Sequence, residues 1–286
     1  MAYTVVTGAT GGLGKQLAYQ AAQTGQDLVL TATHADALTQ QQQIIEQTYH
    51  VHVYTLACDL SDANAGVTIH DFTASHGLDV TELINCAGFG SWTRFLDAPW
   101  SAINAMMMVN MHALTQLTYL YGNDMKAKHQ GRILNISSLA SRMPGPYMAL
   151  YFATKAYVTS LGVALAYELR GSGVHCTTIC PGPITTGFEK KAAMHGKNFF
   201  TMMHPATAEQ AARFAYRRMR AGKTLAFQGA GAKLGAFWAR IMPTRIMTAI
   251  AATMNGGDPT HGADASATST PSTTTASSST PHNTAA

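Results

Sequence analysis

Tyr3-Thr4-Val5-Val6-Thr7-Gly8-Ala9-Thr10-Gly11-Gly12-Leu13-Gly14, followed by Lys15-Gln16-Leu17-Ala18-Tyr19-Gln20-Ala21-Ala22, reads as a short apolar strand, a glycine turn and a helix. Glycines at 8, 12 and 14 admit positive φ and lack the Cβ atoms that would hold a pyrophosphate away from backbone amides at a helix N-terminus. A nucleotide phosphate would dock there, although a glycine turn can also be a plain tight connection. The strand before it and the helix after it favour docking. Outward from this unit, short apolar runs alternate with helical patterns: Asp27 to Ala32, Val51 to Ala57, Val80 to Cys86, Arg132 to Ser137, Val174 to Cys180 and Thr224 to Phe227. That rhythm predicts a single α/β domain, a doubly wound parallel sheet with helices on both faces.

Tyr151-Phe152-Ala153-Thr154-Lys155 lies further on, with Ser138 thirteen positions upstream of the tyrosine. On a helix Tyr151 and Lys155 share one face. A lysine cation there would favour the phenolate and bring a group of reference pKa about 10 toward neutrality. The pattern alone also fits a bland surface pair, so its weight comes from its company. Tyr147, four residues earlier, is the nearest rival phenol but has Tyr151 rather than a lysine one turn on. Ser137 is the rival hydroxyl, and strand alternation turns it away from Ser138.

Thr7-Gly8-x-x-x-Gly12-x-Gly14, Asn85-Cys86-Ala87-Gly88, Asn110, Ser138, Tyr151-x-x-x-Lys155 and Pro181-Gly182 together resemble the short-chain dehydrogenase/reductase family, over about residues 3 to 230. The resemblance implies a Rossmann-like fold and nicotinamide-dependent carbonyl reduction or alcohol oxidation. It assigns Asn110, Ser138, Tyr151 and Lys155 as catalytic. Ser138 and Tyr151 would bond the substrate oxygen, Tyr151 would supply the proton, and Lys155 would both prime Tyr151 and bond the nicotinamide ribose. Asn110 would hold its helix open and bind a water leading from the lysine to solvent. Cofactor contacts would come from Gly8, Thr10, Gly12, Leu13 and Gly14, from Thr33 and His34, from Asp59 and Leu60, and from Asn85, Ala87 and Gly88. Tyr151, Lys155, Pro181, Gly182, Ile184 and Thr186 complete that set.

At the end of the second strand, Leu30-Thr31-Ala32-Thr33-His34 carries no acid to bind ribose hydroxyls and repel a phosphate. Neither is there the arginine that many NADP-using relatives have at the position of Thr33. Thr33 and His34 can donate to a phosphate, which favours NADP(H) and leaves NAD(H) open; His34 also reads as an exposed loop histidine. Asp59 resembles the family's adenine contact and can equally cap a helix starting near Asp62. Cys86 stands where the family has a second Asn, and it reads as a small packing group.

Phe188 to His204 lacks a clear period, as a loop closing over substrate would. Phe188, Phe199, Phe200, Met202 and Met203, with Met143, Phe89 and Trp92 on the rim, favour a hydrophobic ketone, aldehyde, acyl thioester or steroid-like molecule. The chain has 286 residues, is 47% hydrophobic and 12% charged, and carries a formal net charge of +4. That charge is too small for a nucleic-acid footprint, and Arg217, Arg218, Arg220 and Lys223 read as a solvated helix face. The four cysteines have no metal-ligand spacing; Cys176 and Cys180, on one strand, would be about 13 Å apart, too far for a disulfide. No metal and a reducing cytoplasm are expected, and no secretory leader is read.

Residues 231–254 read as two amphipathic helices broken at Pro243, suited to capping the cleft, to an oligomer interface or to peripheral membrane contact through 233–254. Residues 255–286, rich in Ser, Thr, Ala, Pro and Gly, read as a disordered tail. The apolar positions of the helix from Pro99 and of the one after Tyr151 fit either core packing or a homo-dimer or homo-tetramer interface. The alternatives to an enzyme are a non-catalytic NADP-sensing protein and a membrane-peripheral interaction protein on the same scaffold.

Overall fold

Val5 and Val6 are chain neighbours, both fully buried, and they pack into different hydrophobic layers. The same division separates Leu28 from Val29, Leu83 from Ile84 and Ile133 from Leu134. Because successive strand residues point to opposite faces, strands that are apolar throughout must be covered on both sides. The computed structural model describes residues 2–185 and 205–257.

Strands β1 (Ala2–Thr7), β2 (Asp27–Ala32), β3 (Val53–Ala57), β4 (Asp79–Asn85), β5 (Gly131–Ile136) and β6 (Val174–Cys180) alternate with helices. The helices are α1 (Gly12–Ala22), α2 (Ala35–Tyr49), α3 (Ala65–Ser75), α4 (Trp100–Met107), α5 (Leu114–Ala127) and α6 (Ala149–Glu168), with a π-helical segment, Met108–Ala113, joining α4 to α5. Next come β7 (Ile184–Thr185), β8 (Ala206–Thr207), α7 (Ala208–Arg220), β9 (Leu225–Phe227), α8 (Ala230–Ile241) and α9 (Thr244–Met254). Among the described residues, seven strands form one sheet in the order β3-β2-β1-β4-β5-β6-β9, and every pairing is parallel. The order reverses between β1 and β4, and the carboxyl ends of those strands open the crevice where such sheets bind ligands.

Leu17, Leu38, Ile45, Tyr216 and Met219 of α1, α2 and α7 cover one face; Ile69, Leu117, Tyr121 and Met125 of α3 and α5 cover the other. Helix α7 opens with a full capping box between Thr207 and Gln210. Its last turn corrects the reading of a wholly solvated basic face. Arg220 bonds the buried Glu82 at 2.7 Å, and Tyr216 and Thr4 donate to the other carboxylate oxygen at 3.0 and 3.2 Å. A carboxylate in mid-sheet has to be paired, and the nearby cations supply the partners.

Several strand ends shift by one or two residues, and two other boundaries differ from expectation. The third helix begins at Ala65, three residues beyond Asp62, because Asp59 and Asp62 accept bonds from Ser61 N and Asn64 N in two successive turns. Asp59 therefore caps no helix. Asn255, the first residue of the segment expected to be disordered, is buried and donates to Pro146 O at 2.8 Å. Residues 258–286 of that segment lie outside the described residues, as do Thr186 and the stretch Phe188 to His204, expected to form a loop.

Candidate active site

The glycine turn after β1 works by two different means. Gly8 has φ +65°, and a Cβ there would stand 2.9 Å from Ala87 Cα, so the turn is pressed against the end of β4. Gly14 serves packing: a Cβ would drive into Gly8 O. Gly14 lines the cleft as well. Helix α1 starts with no side-chain cap and with glycines at 11 and 12, so its first amides present no side-chain acceptor and open on the cleft. Gly8→Ala is expected to destabilise the fold by about 1–3 kcal/mol, measured as the urea midpoint; an unchanged midpoint would refute the strain argument.

The cleft, about 470 Å³, runs from this turn past Thr33, Asp59 and Leu60 to Ser138, Tyr151 and Lys155. Thr10, Gly12, Leu13, Ala87, Gly88, Pro181, Gly182 and Ile184 also line it. Two of the assigned cofactor contacts do not, nor does Asn110. Asn85 is buried in the sheet, where its Nδ2 donates to Thr118 Oγ1 at 3.0 Å and Asn135 Oδ1 at 2.9 Å. His34 is exposed at the start of α2, away from the cleft walls, because the chain turns into the helix there. Trp92 likewise packs with Met148, Tyr151 and Phe152 and does not form the rim.

Asn110 sits in the π-helical segment, fully engaged: Oδ1 accepts from Phe89 N at 3.1 Å, and Nδ2 donates to Phe89 O at 2.9 Å and Thr154 Oγ1 at 3.0 Å. One amide thus pins the chain after β4 and α6 to a widened helical turn. Ser137 is buried, donating to Lys155 O at 2.8 Å and sharing a 2.7 Å bond with Thr159. Both serines line the cleft, but the Ser137 hydroxyl is taken up in fastening α6 to the end of β5. Ser138 accepts from Ala140 N at 3.1 Å and is hydrogen-bonded to the Tyr151 phenol. Tyr147 adopts a left-handed φ of 64° and its carbonyl accepts from Thr93 N, which gives it a turn-forming place.

Lys155 is buried, donates to Ile136 O at 3.0 Å and stands 5.8 Å from the Tyr151 ring centre. Burial pulls its pKa down to about 8, with Cys86 and Cys180 opposing. Burial likewise pushes Tyr151 up to about 12 against the Ser138 hydrogen bond. This corrects the expected priming: in the chain alone, desolvation outweighs any help from the ammonium, so Tyr151 is a phenol. Cys86 is a thiol for the same reason, its pKa raised to about 12 by burial. It keeps the packing place read for it.

Thr7 carried a function that sequence reading left unassigned: its Oγ1 accepts from Cys86 N and Ala87 N and donates to Ile84 O, tying β1 to β4 at the crevice. The apolar end of the cleft, with Phe89, Val109, Met143, Met148 and Phe152, gains Ala251, Met254 and Asn255 from the end of α9. Only the general notion of a capping helix pointed to those three. Among the described residues no cluster of His, Cys, Asp or Glu could hold a metal.

Residues 2–196 match the family described as short chain dehydrogenase. A very-long-chain 3-oxoacyl-CoA reductase of Coprinopsis cinerea is 33% identical over 179 residues, 60% of this chain and 52% of that protein. A 7beta-hydroxysteroid dehydrogenase of Collinsella aerofaciens is 29% identical over 182 residues, 64% of this chain and 68% of that protein. The chain spans about half the length of the first of these curated relatives. A short-chain dehydrogenase from Sphingobium yanoikuyae in complex with NADPH shares the fold, with a TM-score of 0.75 at 24% identity over 83% of this chain and 92% of that one.

Proposed function

The chain belongs to the short-chain dehydrogenase family, and from that premise we propose that it reduces the carbonyl of a hydrophobic substrate at the expense of a nicotinamide dinucleotide. The observation that carries this reading is the convergence of Ser138, Tyr151 and Lys155 on one cleft whose other end is the uncapped N-terminus of α1. The residues fit the dinucleotide. The first amides of α1 would take the pyrophosphate, Asp59 and Leu60 the adenine end, and Lys155 the nicotinamide ribose. A bound reduced nicotinamide would supply hydride to the carbonyl carbon. Ser138 and Tyr151 would hold the carbonyl oxygen, and Tyr151 would give it a proton. A phenol held up at about 12 is in the donor form at neutral pH, which supports reduction as the working direction. Asn110 would act by position, keeping α6 and the turn at Gly88 in register.

The lining of Phe89, Met143, Met148, Phe152 and Met254 supports a bulky apolar carbonyl compound. Acyl thioesters and steroid ketones, the compounds named for the two relatives, are the first to try. Thr33 at the cleft, with no acid beside it, supports NADP(H) over NAD(H). Thr33→Arg is expected to raise the preference for NADPH about tenfold, worth roughly 1.4 kcal/mol; a shift toward NADH would refute the assignment. Exposed Trp100, Tyr119 and Tyr157 support a homo-oligomer, and four free cysteines support a reducing, cytoplasmic setting. The test is a panel of ketones, aldehydes and 3-oxoacyl thioesters with purified protein, following the absorbance of NADPH and of NADH. Binding of either dinucleotide without turnover of any compound would favour a sensor over an enzyme.

A further inference from the structure

Helix α8 is packed inside out. Its small residues Ala232 and Ala236 are buried against Leu139, while Leu234, Phe237, Trp238 and Ile241 are 47–58% exposed. Those four fall at i, i+3, i+4 and i+7 and so form one stripe. Helix α9 repeats the arrangement, with Met247 and Ala251 inside and Ile246 and Ile250 outside. Large apolar side chains clustered in water call for an occupant. Its chemistry is set by charge. From Glu209 to Asp258 the sequence has no other carboxylate side chain, and Lys233, Arg240 and Arg245 are exposed on these two helices. Lys233 and Arg240, seven residues apart, fall along one margin of the α8 stripe.

We propose that α8 and α9 lie in the surface of an anionic lipid bilayer, with the stripe at the acyl boundary and the cations among the head groups. Amphipathic helices with Trp, Phe and Leu on one face and Lys or Arg beside it bind in this way. A second copy of the chain fits less well, since neither helix carries a carboxylate to pair with Lys233, Arg240 and Arg245 of the other copy. The inner side of α9 and Asn255 line the cleft, so its apolar end would open near the lipid. That last consequence rests on the oxidoreductase reading; lipid binding does not.

The test sediments the full chain with vesicles of phosphatidylcholine alone and of equal parts phosphatidylcholine and phosphatidylglycerol, at low and high salt. Binding to the anionic vesicles is expected to exceed that to neutral ones about tenfold or more and to fall at high salt. It should be lost in the double variant Phe237→Ser with Trp238→Ser and weakened in Arg240→Gln with Arg245→Gln, whose side chains are exposed in the fold. Protein that stays in the supernatant with every vesicle overturns the proposal. So does an apolar-face variant that keeps its vesicle binding, or one whose self-association falls, by light scattering after size exclusion, while the wild type ignores lipid. Turnover of a water-soluble ketone is measured alongside. Its absence in wild type and variants would count against the oxidoreductase reading and leave the vesicle result standing.

Discussion

Tyr151→Phe is expected to lower carbonyl reduction by about 10²–10⁴-fold while dinucleotide affinity changes by less than about threefold. The ring stays in place against Met148 and Phe152, so the substitution removes one oxygen and little packing. Ser138 remains to hold the substrate oxygen, but its hydroxyl is a poor proton donor, and the loss should fall on kcat. In the reverse direction the proposed mechanism calls for the phenolate, so alcohol oxidation by the wild type should rise with pH across the alkaline range. Reduction should instead fall as Tyr151 titrates. Near-normal turnover by the phenylalanine variant, or oxidation independent of pH, would remove Tyr151 from the chemistry.

Lys155→Met should have two opposed effects. Turnover should be lost and dinucleotide binding should weaken, because in the proposed mechanism the ammonium serves both. The fold, however, should become more stable at neutral pH. The fall of the Lys155 pKa from 10.5 to about 8 means that the charged form is disfavoured inside by roughly 3 kcal/mol. Against this stands the hydrogen bond to Ile136 O, about 1 kcal/mol, whose acceptor would be left bare. A net gain of about 1–2 kcal/mol, or about 3–6 °C in Tm, is expected. The sign follows from proton binding. Between pH 8 and 10.5 the unfolded chain holds the proton and the folded chain does not, so the wild type gains stability as pH rises through that window. The advantage of the variant should therefore shrink from pH 7.5 to pH 10. A variant less stable than wild type at every pH would show that Lys155 rests comfortably in its site.

The sheet and the meeting of Ser138, Tyr151 and Lys155 at one cleft were legible because local spacing encodes them. Tyr151 and Lys155 are one helical turn apart, apolar runs of strand length recur, and Gly8 marks a turn that only one residue type tolerates easily. What escaped depends on contacts between distant parts of the chain. Asn85 reads as a crevice residue, but its direction is decided by Thr118 and Asn135, which lie 33 and 50 residues away. Thr7 reads as an ordinary strand residue until β4 is placed beside it. Arg220 reads as one arginine in a basic run, and only the fold brings Glu82, 138 positions earlier, to it. The pKa of Tyr151 went the other way for a related reason: spacing reveals its partner but not how much water the two have lost.

The Glu82 pairing carries a consequence for biosynthesis. The family-matching stretch, 2–196, contains the carboxylate and Arg132, but neither Tyr216 nor Arg220. While the ribosome is still making the later half, the nascent sheet would hold a negative charge short of its closest cation, so the early half should stay loose and protease-sensitive. Maturation would then wait for α7 to clear the exit tunnel, and a truncation before residue 208 should be recovered as a degradation product rather than as a smaller working protein.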